Sequence, residues 1–226
     1  MSAASIRGVI LDMDGTLIDS NEAHARTWVD ALQVFGYDVT LDAVRPLMGQ
    51  GADKILPRLT GCTGDSDIGR KIAARRATLF EQQYLPSIQP FPRSRELVKQ
   101  MHDYGLRTVI ASSSRRDHLQ HLLETVDIET FIDGATSAED AGVSKPDPDV
   151  IEAALARLDL DAGEVMMIGD TPYDIEAAAR IGIRTIALRC GGWKDEDLTG
   201  AVAVYTDPDE LLARFAASPL ADGAIG

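Results

Sequence analysis

The stretch Val9-Ile10-Leu11-Asp12-Met13-Asp14-Gly15-Thr16 decides how this chain is read. The apolar run Gly8–Leu11 has the length of a buried strand and runs straight into a carboxylate. Asp12 is expensive there unless it is paired, metal-bound or solvated. Asp14 follows at the second position beyond, in a turn closed by Gly15. In extended chain, side chains at i and i+2 point the same way. Two carboxylates held side by side repel, and one of them resists ionisation. A divalent cation removes the conflict. Magnesium prefers hard oxygen ligands and keeps positions open for water and a phosphate. A carboxylate neutralised in this way can attack phosphorus. The plainer alternative is a strand-end turn in which Asp14-Gly15 only makes the bend.

Three more apolar runs have the same character: Thr108–Ala111, Val165–Ile168 and Thr185–Leu188. Weaker ones lie at Phe131–Gly134 and Ala201–Tyr205. Turns and helical patterns alternate with the strong runs, so an α/β fold with a parallel sheet is expected. The segment Asp19–Phe91 breaks the alternation and reads as helices only. Asp19-Ser20-Asn21-Glu22 has the pattern of a helix start with a reciprocal cap. His24, Trp28, Ala31, Leu32 and Phe35 then share one helical face. A second helix is expected over Ser66–Tyr84, and Pro86, Pro90 and Pro92 mark the return. The domain plan is an α/β core over residues 1–18 and 91–226, with an all-helical cap, residues 19–90, inserted after the first strand. The small, polar-leaning tail Ser218–Gly226 is expected to fray.

The chain has 226 residues, 45% of them hydrophobic, enough for a sizeable core. A net charge of −14 argues against nucleic acid or an acidic membrane surface as partner, since both select a basic patch. A small anion stays possible, because a site can be locally positive. Cys62 and Cys190 form neither a disulfide framework nor a metal-ligand spacing, which points to a reducing, cytoplasmic setting. The start Met1–Arg7 lacks the apolar region of a signal peptide, and no run is long enough to span a membrane.

Ligands of open parallel sheets bind beyond the carboxyl ends of the strands. The polar residues that end these strands are Asp12, Ser112 and Asp170. Ser112, Ser113 and Ser114 precede a helix read as Arg115–Val126, and Ser114 with Asp117 has the spacing of a cap. Ser112 can still offer its hydroxyl to a phosphate at that helix start. Lys145 stands in Ser144-Lys145-Pro146-Asp147-Pro148, where Asp147 and Pro148 read as N-cap and first residue of the next helix. A lysine fixed there can reach a transferring phosphoryl group as a point charge. Asp170 is a second carboxylate at a strand end and completes an oxygen site with Asp12, to which the Asp14 backbone carbonyl can add. Asp174 fits either a further ligand or the N3 partner of a Thr171 cap.

In this order and spacing the motifs resemble those of the haloacid dehalogenase superfamily of phosphotransferases. Asp12-Met13-Asp14-Gly15-Thr16-Leu17 looks like its first motif, Ser112 its second, Lys145-Pro146-Asp147 its third and Gly169-Asp170…Asp174 its fourth. The insert is similar to a four-helix cap, and the nearest branch is that of phosphoglycolate phosphatase and β-phosphoglucomutase. The resemblance implies a doubly wound, Rossmann-like core and a magnesium-dependent phosphatase acting on a small phosphorylated metabolite. It implies Asp12 as nucleophile, Asp14 as acid and base, and Ser112 and Lys145 on the phosphoryl oxygens. Asp12, Asp14, Asp170 and Asp174 are the expected metal ligands. Ser113, His24, Gly51, Lys54 and Arg115 are the further expected substrate contacts. A monomer or homodimer is expected.

Haloalkanoic dehalogenases of the superfamily lack the second motif aspartate, so Asp14 argues against dehalogenation. A β-phosphoglucomutase-like hexose-phosphate mutase is the alternative, since His24 and Trp28 sit where that enzyme has a similar pair. It also carries a phosphate-gripping arginine near the position of Ala52. Without it the mutase reading loses its main support, with Lys54, Arg75 or Arg76 as candidates to replace it. His24 and Trp28 read equally well as the core face of a cap helix. Receiver domains of signalling proteins share the aspartate, hydroxyl, lysine and magnesium, but have no helical insert after the first strand.

Overall fold

The protein is described here by a computed structural model over residues 5–221. Six parallel strands form one sheet: β1 (Gly8–Leu11), β2 (Arg107–Ala111), β3 (Gly134–Thr136), β4 (Val165–Gly169), β5 (Arg184–Leu188) and β6 (Ala203–Tyr205). Their order is β3-β2-β1-β4-β5-β6. Successive side chains serve opposite faces. Val9 and Leu11 pack with Ile110, Ile168 and Leu97 on one side, and Ile10 packs with Val109, Met167 and Ile151 on the other. Both faces are covered by helices, which is why the strands read as continuous apolar runs. Each fully buried side chain of β1 contributes about 1.5–3 kcal/mol, so the strand tolerates a carboxylate at its end.

The chain leaves β1 for β2 and β3 on one side, then returns to build β4, β5 and β6 on the other. β1 and β4 therefore flank the switch point, where a crevice opens beyond the carboxyl ends. Asp12 and Asp170 leave these two adjacent strands. The register aligns Leu11 with Ile168, and the Asp12 N–H continues the ladder to the Ile168 carbonyl at 2.9 Å. The core helices are α5 (Ser94–Asp103), α6 (Arg116–Val126), α7 (Asp149–Leu158), α8 (Pro172–Arg180) and α9 (Pro208–Ala213), numbered after four in the cap.

Between β1 and α5 stand α1 (Asn21–Val34), α2 (Leu41–Val44), α3 (Ala52–Thr60) and α4 (Asp67–Leu79). They have their own apolar cluster, centred on Trp28, Leu32, Leu56 and Ile72. A π turn, Phe80–Tyr84, extends α4. The outgoing and returning linkers pair with each other: Asp19 N–H donates to Gln89 O at 3.0 Å, and Phe91 N–H donates to Leu17 O at 3.0 Å.

Several local readings of the sequence are corrected. The weak strand near Phe131–Gly134 lies at Gly134–Thr136, because Glu129–Phe131 is spent on a 3-10 turn. The last strand is Ala203–Tyr205, shorter than Ala201–Tyr205. The reciprocal cap expected in Asp19-Ser20-Asn21-Glu22 does not form, because α1 starts at Asn21 with no side-chain cap bond, and Ser114 does not cap α6, which starts at Arg116. Helix α7 starts at Asp149 with Pro148 as N-cap, because Asp147 is held by Lys54 and Arg180. In the tail, Ser218 and Leu220 are buried rather than frayed, and residues 222–226 lie outside the described chain.

Candidate active site

Lys145 is the hub of the core side. Its ammonium lies 2.5 Å from Asp12 Oδ1 and 2.7 Å from Asp174 Oδ1, and donates to the Ala111 carbonyl at 3.1 Å. Asp12 and the Ala111 carbonyl accept two of its protons, and Asp174 Oδ1 meets it as an ion pair without a hydrogen bond. That satisfies a lysine that is only 1% exposed. Asp174 does two jobs. Its Oδ2 accepts from Thr171 N–H at 3.1 Å and Thr171 Oγ1 at 2.7 Å, completing the capping box of α8, while Oδ1 faces Lys145. Asp170 accepts from Thr16 Oγ1 at 2.8 Å and Asn21 Nδ2 at 2.9 Å. Gly15 has φ +82° and sits against Asn21 and Asp170, so a side chain there would collide with both.

Oxygens of Asp12, Asp170 and Asp174 lie within 4.8 Å of one another, all buried. Burial pushes the Asp12 carboxyl up to about 7, with Lys145 opposing and Asp174 adding to the rise. Burial also raises Asp170, helped by the nearby Asp12 and Asp174 charges. Three ionised carboxylates against the Lys145 ammonium leave an excess of two negative charges. All the donors are hard oxygens, so the set fits a divalent cation.

Asp14 stands apart from that cluster. Its Oδ1 accepts from Ser20 Oγ at 2.6 Å and meets His24 Nε2 at 3.0 Å, and its Oδ2 accepts from Ser114 Oγ at 2.8 Å. Burial disfavours its charge, but His24, Ser20 and Ser114 outweigh burial and hold the carboxyl well below the usual range. Ser114, read from sequence as a helix cap, and Ser20, inside the expected helix start, thus spend their hydroxyls on Asp14. Neither has a local signal for this role, since the partner comes from another part of the chain.

A cavity of about 600 Å³ lies between core and cap, reached by Asp12, Asp14, Ser113, His24 and Gly51. The buried Ser113 hydroxyl has no partner. Ser112 Oγ accepts from Ser114 N–H at 3.0 Å, which leaves its own proton free for a ligand. His24 stacks on Phe80 at 4.2 Å, and Arg76 covers the Trp28 ring at 4.6 Å. Other expected contacts are diverted. Lys54 donates to the Ser144 carbonyl at 2.6 Å and pairs with Asp147. The Gly51 N–H donates to Ser144 Oγ at 2.9 Å. Arg115 lines the rim but pairs with Asp117.

Residues 9–188 match the family model for haloacid dehalogenase-like hydrolases. The chain belongs to this family. A phosphoglycolate phosphatase of Yersinia pestis is 31% identical over 94% of this chain and 91% of its own length. The pyrophosphatase PpaX of Bacillus pumilus is 27% identical over 95% of each chain. A hydrolase from Pseudomonas syringae superposes with a TM-score of 0.86 at 26% identity, covering 93% of this chain and 98% of its own. Within the family the chain is a phosphatase. Among the described residues, no helix is long and apolar enough to cross a membrane.

Proposed function

We propose that this haloacid dehalogenase-like hydrolase is a magnesium-dependent phosphatase that cleaves a small phosphate monoester through an aspartyl-phosphate on Asp12. The carrying observation is the pairing of Asp12 with Lys145 inside a buried three-carboxylate cluster at the sheet's switch point. Asp12 and Asp170, with the Asp14 carbonyl, are the residues to hold the cation. Asp174 adjoins this set: Thr171 holds its Oδ2, while its buried Oδ1 faces Lys145 without a hydrogen bond, so it positions Lys145 and adds a carboxylate to the cluster. The cation supplies charge neutralisation for the phosphoryl oxygens and for Asp12.

Asp12 Oδ1 is held by Lys145, which leaves Oδ2 to attack phosphorus. The ester P–O bond breaks as the new P–O bond forms. Asp14 gives its proton to the leaving oxygen, and the alcohol departs. In the ligand-free site Asp14 is held ionised. A phosphate dianion beside it adds a like charge and favours the protonated form. Once the alcohol is gone, Asp14 takes a proton from water. The hydroxide then attacks phosphorus, the bond to Asp12 breaks and phosphate leaves. Lys145 and the Ser112 and Ser113 hydroxyls bind the phosphoryl oxygens throughout.

The test is phosphate release from a panel of small esters, with and without magnesium, alongside trapping of a phosphorylated enzyme. Magnesium-dependent turnover with label on Asp12 is expected. β-Glucose 1-phosphate belongs in the panel. Its conversion to an isomer with little free phosphate would overturn the phosphatase reading in favour of a mutase.

A further inference from the structure

Asp12 and Asp170 leave adjacent strands and face the same carboxylate cluster, yet they are held in different ways. Asp12 pairs with the Lys145 ammonium. Among the described residues, Asp170 pairs with no cation, and its side-chain donors are both neutral: Thr16 Oγ1 on Oδ1 at 2.8 Å and Asn21 Nδ2 on Oδ2 at 2.9 Å. A carboxylate has about four lone-pair positions, so each oxygen keeps room for a further ligand. A neutral donor fixes such a group without adding a charge that would repel an incoming cation.

Asn21 is built into this contact. It is the first residue of α1, and α1 has no side-chain cap bond. Asparagine favours caps and turns over helix positions, so local propensity does not account for it here. Its Nδ2 also donates to the Gly191 carbonyl at 3.0 Å, which gives both amide protons an acceptor. A Cβ at Gly15 would run into the Asn21 amide and Asp170 Oδ2, and a Cβ at Gly191 would run into the Asp170 carboxyl. Two glycines thus keep the slot clear in which this amide meets this carboxylate. Asn21 stands on the inserted helices, whereas Asp170 and Gly191 follow β4 and β5 of the sheet.

We propose that Asn21 is a positioning residue of the cation site, holding Asp170 in the orientation that ligates. A residue of the inserted helices then contributes to a site whose ligands all stand at the ends of sheet strands. The proposal rests on the magnesium-dependent reading above. Carboxylates that ligate metals are themselves hydrogen-bonded, and loss of such a partner costs about 10- to 100-fold in metal affinity.

Magnesium titrated into the full chain tests this without any substrate. Asn21→Leu keeps the size of the side chain and removes the donor. Calorimetry should give it a Kd about ten- to a hundredfold above that of the wild type. Asn21 is also the only asparagine in the chain. Protein made with asparagine labelled with 15N in the side-chain amide therefore shows one NH2 pair by NMR. In the wild type that pair should shift as magnesium is added, with the calorimetric midpoint. An amide with a purely structural role would not follow the ion. Should Asn21→Leu not fold, the NH2 pair reads the contact in the wild type alone. Equal affinity in a folded Asn21→Leu, or a pair unmoved at saturating magnesium, overturns the role of Asn21 and leaves the phosphatase reading standing. A wild type that binds no magnesium overturns the cation site itself, and the role of Asn21 with it.

Discussion

The two walls of the cavity are built on opposite plans. On the core wall, charge is locked in a network: Lys145 holds Asp12 and Asp174, Thr171 holds Asp174, and Thr16 and Asn21 hold Asp170. On the cap wall, aromatic and aliphatic surface surrounds Arg76, whose Nε has no hydrogen-bond partner. A dense network of ion pairs and hydrogen bonds is rigid and fixes one geometry, which suits a phosphoryl group under the proposed function. A sparse apolar wall with one open donor set suits the part that varies. On the proposed function, chemistry falls to the sheet side of the cavity and selectivity to the inserted helices.

That division can be broken from either side. Asp12→Asn should lower phosphate release on the order of 10⁴-fold or more for every ester, because an amide does not attack phosphorus. A variant that kept most of its rate would end the nucleophile assignment. Removing magnesium with a chelator should cost about a thousandfold, the equivalent of several kcal/mol of transition-state stabilisation. Magnesium should then restore the rate and raise the melting temperature, since binding to the folded state stabilises it. Lys145→Met should destabilise the metal-free protein by about 3–5 kcal/mol in urea titrations, because two buried carboxylates lose their counter-charge. An unchanged midpoint would mean that the core wall is not held by this lysine. Lys54→Met should be the mildest. Its pair with Asp147 is part-exposed, so stability should change by about 1 kcal/mol or less. Lys54 clasps the cap to the loop that carries Lys145, and its loss should appear in KM more than in kcat. A large equal loss on every substrate would instead move Lys54 to the phosphoryl side.

The core wall was far more legible in the sequence than the cap wall. Asp12, Lys145 and Asp170 each follow a clear punctuation mark: the end of an apolar run, a Pro-rich turn, a Gly. Strand ends of a parallel sheet converge, so reading the ends amounts to reading the site. Lys54 misled, because a basic residue in a cap loop has no local feature that tells a substrate contact from a clasp. Ser114 misled for a related reason. With Asp117 it fits helix-cap spacing, yet its hydroxyl goes to Asp14, as does that of Ser20. Arg76 was only one of several basic candidates, and its neighbour Arg75 is exposed.

By itself the sequence determined the alternation of strand and helix, the interruption after β1 and the carboxylates at the strand ends, because all of these follow from local periodicity and chain direction. Tertiary structure alone decided the partners. It gave Asp174 to both Thr171 and Lys145, set His24 between Asp14 and Arg76, and left the Arg76 Nε without a hydrogen-bond partner. Hydrogen bonds and ion pairs depend on distances of a few ångströms between residues far apart in the chain. Those distances exist only after the cap has folded over the sheet.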